Sequence, residues 1–274
     1  MGWGLAAAAV ACLCYGVASV FQAVGARRVA TADGVDPRLL MRMLRSLPFV
    51  GGMALDTVGL AFNLYALREL PLFTVQAIVN TNLAVTALAA VVMLKLVLSR
   101  RDKLAIASVI GGLVLLAVSS GAEGTKTFSG TERWVLLGVA IVLAAAAIVV
   151  GNVYRNAHSA ILGALSGFLF GVFGIAVRVL PSLSPAHLVT DPAFYAALIS
   201  SATGFMFFTA ALQRGSVTAA TSALVVGETT IPALVGLIFL GDSTRPGVFV
   251  LVGAVGFLCA VGGALALARY GEPA

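Results

Sequence analysis

A chain of 274 residues that is 60% hydrophobic and only 10% charged, with a mean hydropathy of +1.06, is excluded as a soluble globule, because soluble domains keep about a quarter of their residues charged. Ala, Val, Leu and Gly stand where that charge would be, so the outer surface itself is apolar and the solvent it fits is membrane lipid. The net charge of +6 does not point to nucleic acid, since the basic residues are scattered between apolar runs and form no patch.

A bilayer core needs about 20 apolar residues per helix, and that ruler predicts nine spans, at roughly 3–24, 49–67, 72–97, 104–121, 133–153, 158–180, 192–213, 217–240 and 246–268. The fold class is therefore all-α, a polytopic membrane helix bundle. No basic n-region precedes the first span, and Ala9-Val10-Ala11-Cys12 matches a lipoprotein cleavage site only loosely, so a retained first helix is expected. Cys12, Cys14 and Cys259 all fall inside apolar stretches, at no metal or disulfide spacing. Segment 25–48 is basic. Within it Arg38, Arg42 and Arg45 recur at i, i+4 and i+7, on one helical face. Either a short amphipathic helix lies there on the cytoplasmic leaflet, or these residues begin a long second span.

Arg68-Glu69-Leu70-Pro71 and Gln213-Arg214-Gly215-Ser216 are turns short enough to make the spans they join antiparallel neighbours. With the N-terminus outside, twelve of the seventeen Lys and Arg residues fall on the inner side, among them Arg27, Arg28, Arg100, Arg101 and Lys103. The positive-inside bias thus predicts a cytoplasmic C-terminus, and a bacterial cytoplasmic (inner) membrane is the expected location.

The two halves resemble one another. Tyr65-Ala66-Leu67 aligns with Ala210-Ala211-Leu212, and the same offset brings Ser99-Arg100 onto Thr244-Arg245 and Gly111-Gly112 onto the glycine-rich last span. Tyr15-Gly16-Val17 aligns with Phe170-Gly171-Val172 at an offset longer by the basic segment. The expected organisation is a four-span repeat over 1–121, a spacer span at 133–153, and a second four-span repeat over 158–268. A single spacer span inverts the second repeat, and inverted repeats that share a midplane site are a recurrent design of secondary transporters.

These features resemble the drug/metabolite transporter superfamily. They are a span ending in Ala66-Leu67 or Ala211-Leu212, a short turn, a span with a polar or proline break, and a close at Ser99-Arg100 or Thr244-Arg245 before a glycine-rich span. EamA-like members have ten spans in the usual reading, whereas nine spans look more like the branch related to NIPA-type magnesium transporters. The Glu usual after the long span of each repeat is missing, with Lys95 and Asp242 near those places. Substrate class does not follow from such a resemblance.

An acid inside a span costs about 2.5–3.5 kcal/mol at the bilayer centre, so each one is a functional candidate. Glu228 lies near the middle of the eighth span and Asp56 about a third of the way into the second. Gly52, Asp56, Gly59 and Asn63 form one stripe, Thr221, Val225, Glu228 and Pro232 another. Gln76 and Asn80 are paired at i, i+4 on the third span, and Tyr15, Ser19 and Gln22 line the first. Lipid satisfies none of these groups, so they are expected to face one another around a cavity between the first, second, third and eighth spans. Pro232 frees the carbonyl of residue 228 one turn earlier and marks a kink or gate.

Other features carry less. Gly163, Gly167 and Gly171 read as a close-packing face. His158 and His187 have no carboxylate at metal-ligand spacing, and Arg178 either snorkels to the outer interface, the favoured reading, or neutralises an anionic substrate. No nucleophile motif, phosphate loop or cofactor signature appears, so neither an enzyme nor a cofactor or resident metal is expected. The leading expectation is a secondary transporter for a small solute or metabolite, working by alternating access with a proton or cation as coupling ion. A homodimer is compatible with it. The alternatives are a NIPA-like divalent-cation transporter, or a flippase for a lipid-linked substrate or a non-transporting envelope-assembly factor.

Overall fold

The computed structural model describes residues 2–28, 42–69, 75, 78–79, 81–95, 98–121, 124–153, 159–182 and 184–270. Among them the chain forms helices and no named strand. In order these are α1 (Gly2–Arg27), α2 (Leu47–Glu69), α3 (Asn82–Leu94), α4 (Arg100–Ser119), α5 (Gly130–Val153), α6 (Ser159–Arg178), α7 (Pro185–Thr190), α8 (Pro192–Arg214), α9 (Val217–Val235) and α10 (Val248–Tyr270). A π-helical turn, Gly236–Leu240, continues α9 past Pro232.

Eight helices are long and apolar enough to cross a bilayer, namely α1, α2, α4, α5, α6, α8, α9 with its π turn, and α10. The chain is a polytopic helical bundle. The third expected span differs. Of residues 72–97 only Asn82–Leu94 form a described helix, and thirteen residues at 1.5 Å each reach about 20 Å, short of the roughly 30 Å of a bilayer core. Residues 70–74, 76–77, 80 and 96–97 lie outside the described residues.

Most of the basic segment, residues 29–41, also lies outside them. Its described end is not the start of a long second span. Leu44 and Arg45 form a turn, Ser46 is non-helical, and α2 opens only at Leu47. Met43 is fully buried in the protein.

Helix starts are capped as side-chain chemistry dictates. Ser99 and Asp102 make a reciprocal capping box on α4, Ser129 and Glu132 make another on α5, and Asp191 before Pro192 caps α8. Two helix ends are left-handed. Lys95 closes α3 with φ 55°, and Gly241 closes the π turn with φ 77°, a conformation that glycine enters without strain.

Packing rests on small residues, because apolar side chains gain little by leaving lipid for protein, and close van der Waals approach has to hold the helices. The Gly163–Gly171 ladder of α6 lies on the backbone of α9. A Cβ built at Gly163 would stand 2.4 Å from the Ala220 carbonyl oxygen, and one at Gly167 2.4 Å from that of Leu224. Gly112 on α4 meets Ala260 and Gly256 of α10 in the same way, and Gly52 on α2 meets Gln22 and Ala18 of α1. The most extensive helix pairs are accordingly α1 with α2, α6 with α9 and α4 with α10. Next come α6 with α8, α1 with α3, and α5 with α8. Away from α1, α2 touches α8 through Phe49, whose ring lies 6.0 Å from that of Phe205.

Candidate functional site

The two intramembrane acids come within electrostatic reach of one another. Asp56 is about 13 Å along α2 from its start and Glu228 about 16 Å along α9, at 1.5 Å per residue, and they are close enough to interact electrostatically. The tight α1–α2 crossing positions Asp56. Gly52 and Gly59, one turn to either side of it, bring α2 against α1 at Gln22 and Tyr15. At that separation Gln22 Nε2 donates to Asp56 Oδ2 over 2.5 Å, and Gln22 is 1% exposed. Two turns along, the Asn63 side chain lies beside Tyr15, which is within electrostatic reach of both Asp56 and Glu228. Asn63 Oδ1 is buried and makes no hydrogen bond among the described residues.

Glu228 stands where α9 changes character. Below it, Val217 to Gly227 is largely buried; from it to Pro232 the helix is half-buried; beyond, Leu234, Leu237, Ile238 and Phe239 are exposed. Among the described residues Glu228 has no hydrogen-bond partner. Thr221, two turns earlier on the same face, is 4% exposed and its Oγ1 is unpartnered. The kink at Pro232 is seated on glycine, with its ring against Gly171 and Gly174 of α6. Past it the helix continues as a π turn, whose hydrogen bonds span five residues in place of four.

Of the residues singled out from sequence, Tyr15, Gln22, Asp56, Asn63 and Glu228 converge, with Thr221 and Pro232 on the same helix as Glu228. Ser19 does not join them through its hydroxyl, which donates to the Tyr15 carbonyl within α1 at 3.1 Å. Gln76 and Asn80 lie outside the described residues, as does His158. His187 Nδ1 is 2.8 Å from Ser184 Oγ. Among the described residues no three His, Cys, Asp or Glu side chains come together.

Arg178, the last residue of α6, forms a two-pronged ion pair with Asp242, with Nη1 to Oδ2 at 2.6 Å and Nη2 to Oδ1 at 2.5 Å. Asp242 Oδ1 also accepts from Gly124 N at 2.7 Å, and the Arg178 hydrogen bond holds its carboxyl below the ordinary Asp range. Around this pair the α4–α5 connection and the α9–α10 turn are joined by Gly121 N to Ser243 O at 2.9 Å and Arg245 N to Ser119 O at 3.0 Å, flanking the isolated antiparallel bridge of Ser120 and Thr244. Arg133 pairs with the α8 cap Asp191. At the opposite end of the bundle Arg27 Nη2 donates to Gly215 O at 2.7 Å and Gln213 Nε2 to Ala26 O at 3.2 Å.

Sequence reasoning missed these end ties. The one signal available was that Arg178 and Asp242 sit at the same end of consecutive helical hairpins with opposite charge. It also missed Cys12 Sγ, 3.2 Å from Thr81 Oγ1.

Comparison with models of known families, with curated proteins and with solved structures finds no match to this chain.

Proposed function

We propose that the chain is a secondary transporter of the drug/metabolite type, carrying a small solute by alternating access around the Asp56–Glu228 pair. The observation that carries this reading is that two costly intramembrane acids, from opposite halves of the chain, lie within electrostatic reach of one another, one of them held by Gln22 and the other on a proline-marked helix that continues as a π turn. A purely structural pair of acids would be fully hydrogen-bonded, whereas Glu228, Asn63 Oδ1 and Thr221 Oγ1 keep unused capacity.

The proposed architecture is two inverted four-span repeats, α1–α4 and α6 with α8–α10, joined by α5, with the segment around α3 completing the ninth span. Matching neighbours support it. α1 packs on α2 and α3 as α6 packs on α8 and α9, while α4 packs on its counterpart α10 and α3 on α9. The left-handed ends at Lys95 and Gly241, each shortly before the Ser99-Arg100 or Thr244-Arg245 pair, support it too. In an inverted pair of repeats, rocking one against the other exposes a shared site to each side in turn.

The test is transport by the purified chain in proteoliposomes, screened across metabolites, divalent cations and polyprenyl-phosphate lipids, with Glu228→Gln beside it. That substitution keeps shape and hydrogen bonding but removes the ionisable group. Gradient-driven transport should be lost while insertion in the membrane stays normal. Full gradient-driven transport by Glu228→Gln would remove the coupling role of this residue.

A further inference from the structure

The two ends of the bundle differ in charge. Where α1, α3, α8 and α10 finish and α2, α4 and α9 begin, Asp102 is the one acid among the described residues. It is buried, and its Oδ2 accepts from Ser99 N in the cap of its own helix. The bases of that end include Arg28, Arg42 and Arg45 at the α1–α2 corner and Arg100, Arg101 and Lys103 at the start of α4, all exposed. The opposite end sets Asp242 against Arg178 and Asp191 against Arg133. Charge is balanced within the protein there, whereas the α1–α2 corner turns a basic surface outward.

Backbone contact brings the arginines of this corner together. A Cβ built on Gly25 of α1 would stand 2.5 Å from the Phe49 nitrogen and 2.8 Å from its Cα, so α1 and α2 touch main chain to main chain. Arg28 lies one turn past this crossing, its amide bonded to the Gly25 carbonyl at 3.3 Å. Arg42 and Arg45 share a single turn ahead of α2, with Arg45 N donating to Arg42 O at 3.2 Å. Met43 in that turn and Phe49 after it are fully buried, so the turn is fixed to the bundle while its arginines stay outside. Three guanidinium groups are thus carried within two turns of one crossing, each a planar fork that fits phosphate oxygens.

Next to the arginines α2 offers an apolar face one leaflet deep. Leu47, Val50, Ala54 and Val58 recur at i, i+3, i+7 and i+11, opposite the Gly52–Gly59 stripe that packs on α1, and all four are exposed. Leu47, beside the basic turn, is 86% exposed. The rise from Leu47 to Val58 is about 16 Å at 1.5 Å per residue, close to half of the roughly 30 Å bilayer core. α2 is the least embedded of the spans, and its one extensive partner among the described helices is α1, on the other side. Basic groups at the helix start, with an uncovered apolar stripe running from them into the bilayer, match a phospholipid headgroup and its acyl chains in order and in length.

We propose that the corner of Arg28, Arg42 and Arg45 binds an anionic glycerophospholipid, its phosphate on the guanidinium groups and its acyl chains along the outer face of α2. A zwitterionic lipid brings its own ammonium beside the phosphate, and three arginines repel it. A headgroup of net negative charge without an amine suits them. The inference stands apart from the transporter reading, since it concerns the face of α2 turned away from Asp56. The experiment is native mass spectrometry of the purified full chain after incubation in mild detergent with dioleoyl phosphatidylglycerol. Phosphatidylethanolamine and phosphatidylcholine of the same chains are the comparison lipids. Retention of phosphatidylglycerol in preference to both zwitterions is expected. Arg42→Gln with Arg45→Gln should weaken it at least about tenfold, and Arg28→Gln should weaken it in the same direction. Arg100→Gln with Arg101→Gln, which removes as much charge from the same end, should leave it unchanged; size-exclusion profiles report whether each variant is folded.

Equal retention of the zwitterionic lipids, unaltered retention in the folded Arg42 and Arg45 variant, or equal weakening by the Arg100 and Arg101 changes would each overturn the assignment. Absence of any retained lipid would do the same. Displacement of phosphatidylglycerol by excess inorganic phosphate would make the corner a plain phosphate site and refute the part given to the apolar face.

Discussion

Adding one methyl group at Gly167 tests whether backbone contact holds α6 to α9. The added Cβ would lie 2.4 Å from the Leu224 carbonyl oxygen and 2.9 Å from its Cα. An ordinary contact to oxygen needs at least about a further 1 Å, and neither neighbour is a side chain that could swing aside. The helices must therefore part along much of their most intimate stretch, and overpacking of this kind costs about 1–3 kcal/mol. Gly163→Ala meets the Ala220 carbonyl at the same 2.4 Å, so a single outward shift of α6 relieves both clashes. The double variant should then cost clearly less than the sum of the single ones. Gly138→Ala on α5, where nothing lies within 4 Å of the new methyl, should be neutral or slightly stabilising by helix propensity. Thermal unfolding in one detergent, followed by near-ultraviolet circular dichroism, ranks the parent and these four variants. If Gly167→Ala melts with the parent, or if the double variant costs the full sum, the argument from backbone approach is refuted.

Asp242 gives a pH signature. Its folded carboxyl is held below its ordinary value by the Arg178 hydrogen bond, so the stabilisation is present above the unfolded value of about 3.9 and fades as pH falls through the folded one. Parent and Asp242→Asn should differ in melting temperature at pH 7 and converge below about pH 4; a gap unchanged at pH 3 refutes the ion pair. Gln22→Ala removes the donor on Asp56, a bond to a charged group worth about 1.5–3 kcal/mol, and should impair transport more than Ser19→Ala, whose hydroxyl serves only its own helix. Equal effects of the two would count against the Asp56 arrangement. Cysteine accessibility in whole cells should place residues 99–103 inside and 124–131 with 241–245 outside, and finding 99–103 and 241–245 on the same side would sink the inversion of the repeats.

Hydropathy alone located eight helices, because an apolar run of twenty residues has only one way to satisfy its backbone in lipid. Polar interruptions weaken that argument, and it fails where Gln76, Asn80, Thr81 and Asn82 crowd the third span. The acids were legible from cost: Asp56 and Glu228 stand out against apolar neighbours. Periodicity identified the stripe Gly52-Asp56-Gly59-Asn63, but not that its glycines are what bring Gln22 within reach of Asp56. Partner choice is a property of three-dimensional packing. Periodicity placed Arg178 at the end of its span and Ser19 on the Tyr15–Gln22 face without showing the Asp242 ion pair of the one or the Tyr15 carbonyl bond of the other.

The bridge between Ser120 and Thr244 has a practical meaning for watching this molecule move. Its flanking ties, Gly121 N to Ser243 O and Arg245 N to Ser119 O, are made by main-chain groups. They depend on no side chain, so point substitutions there will alter them little. They do carry clocks of their own, since an amide exchanges its hydrogen for deuterium only while its bond is broken. The Gly121 and Arg245 amides therefore report how often this end of the bundle parts, in unlabelled protein and without a known substrate. Comparing their exchange with that of amides at the Arg27–Gly215 end would show which end opens more often.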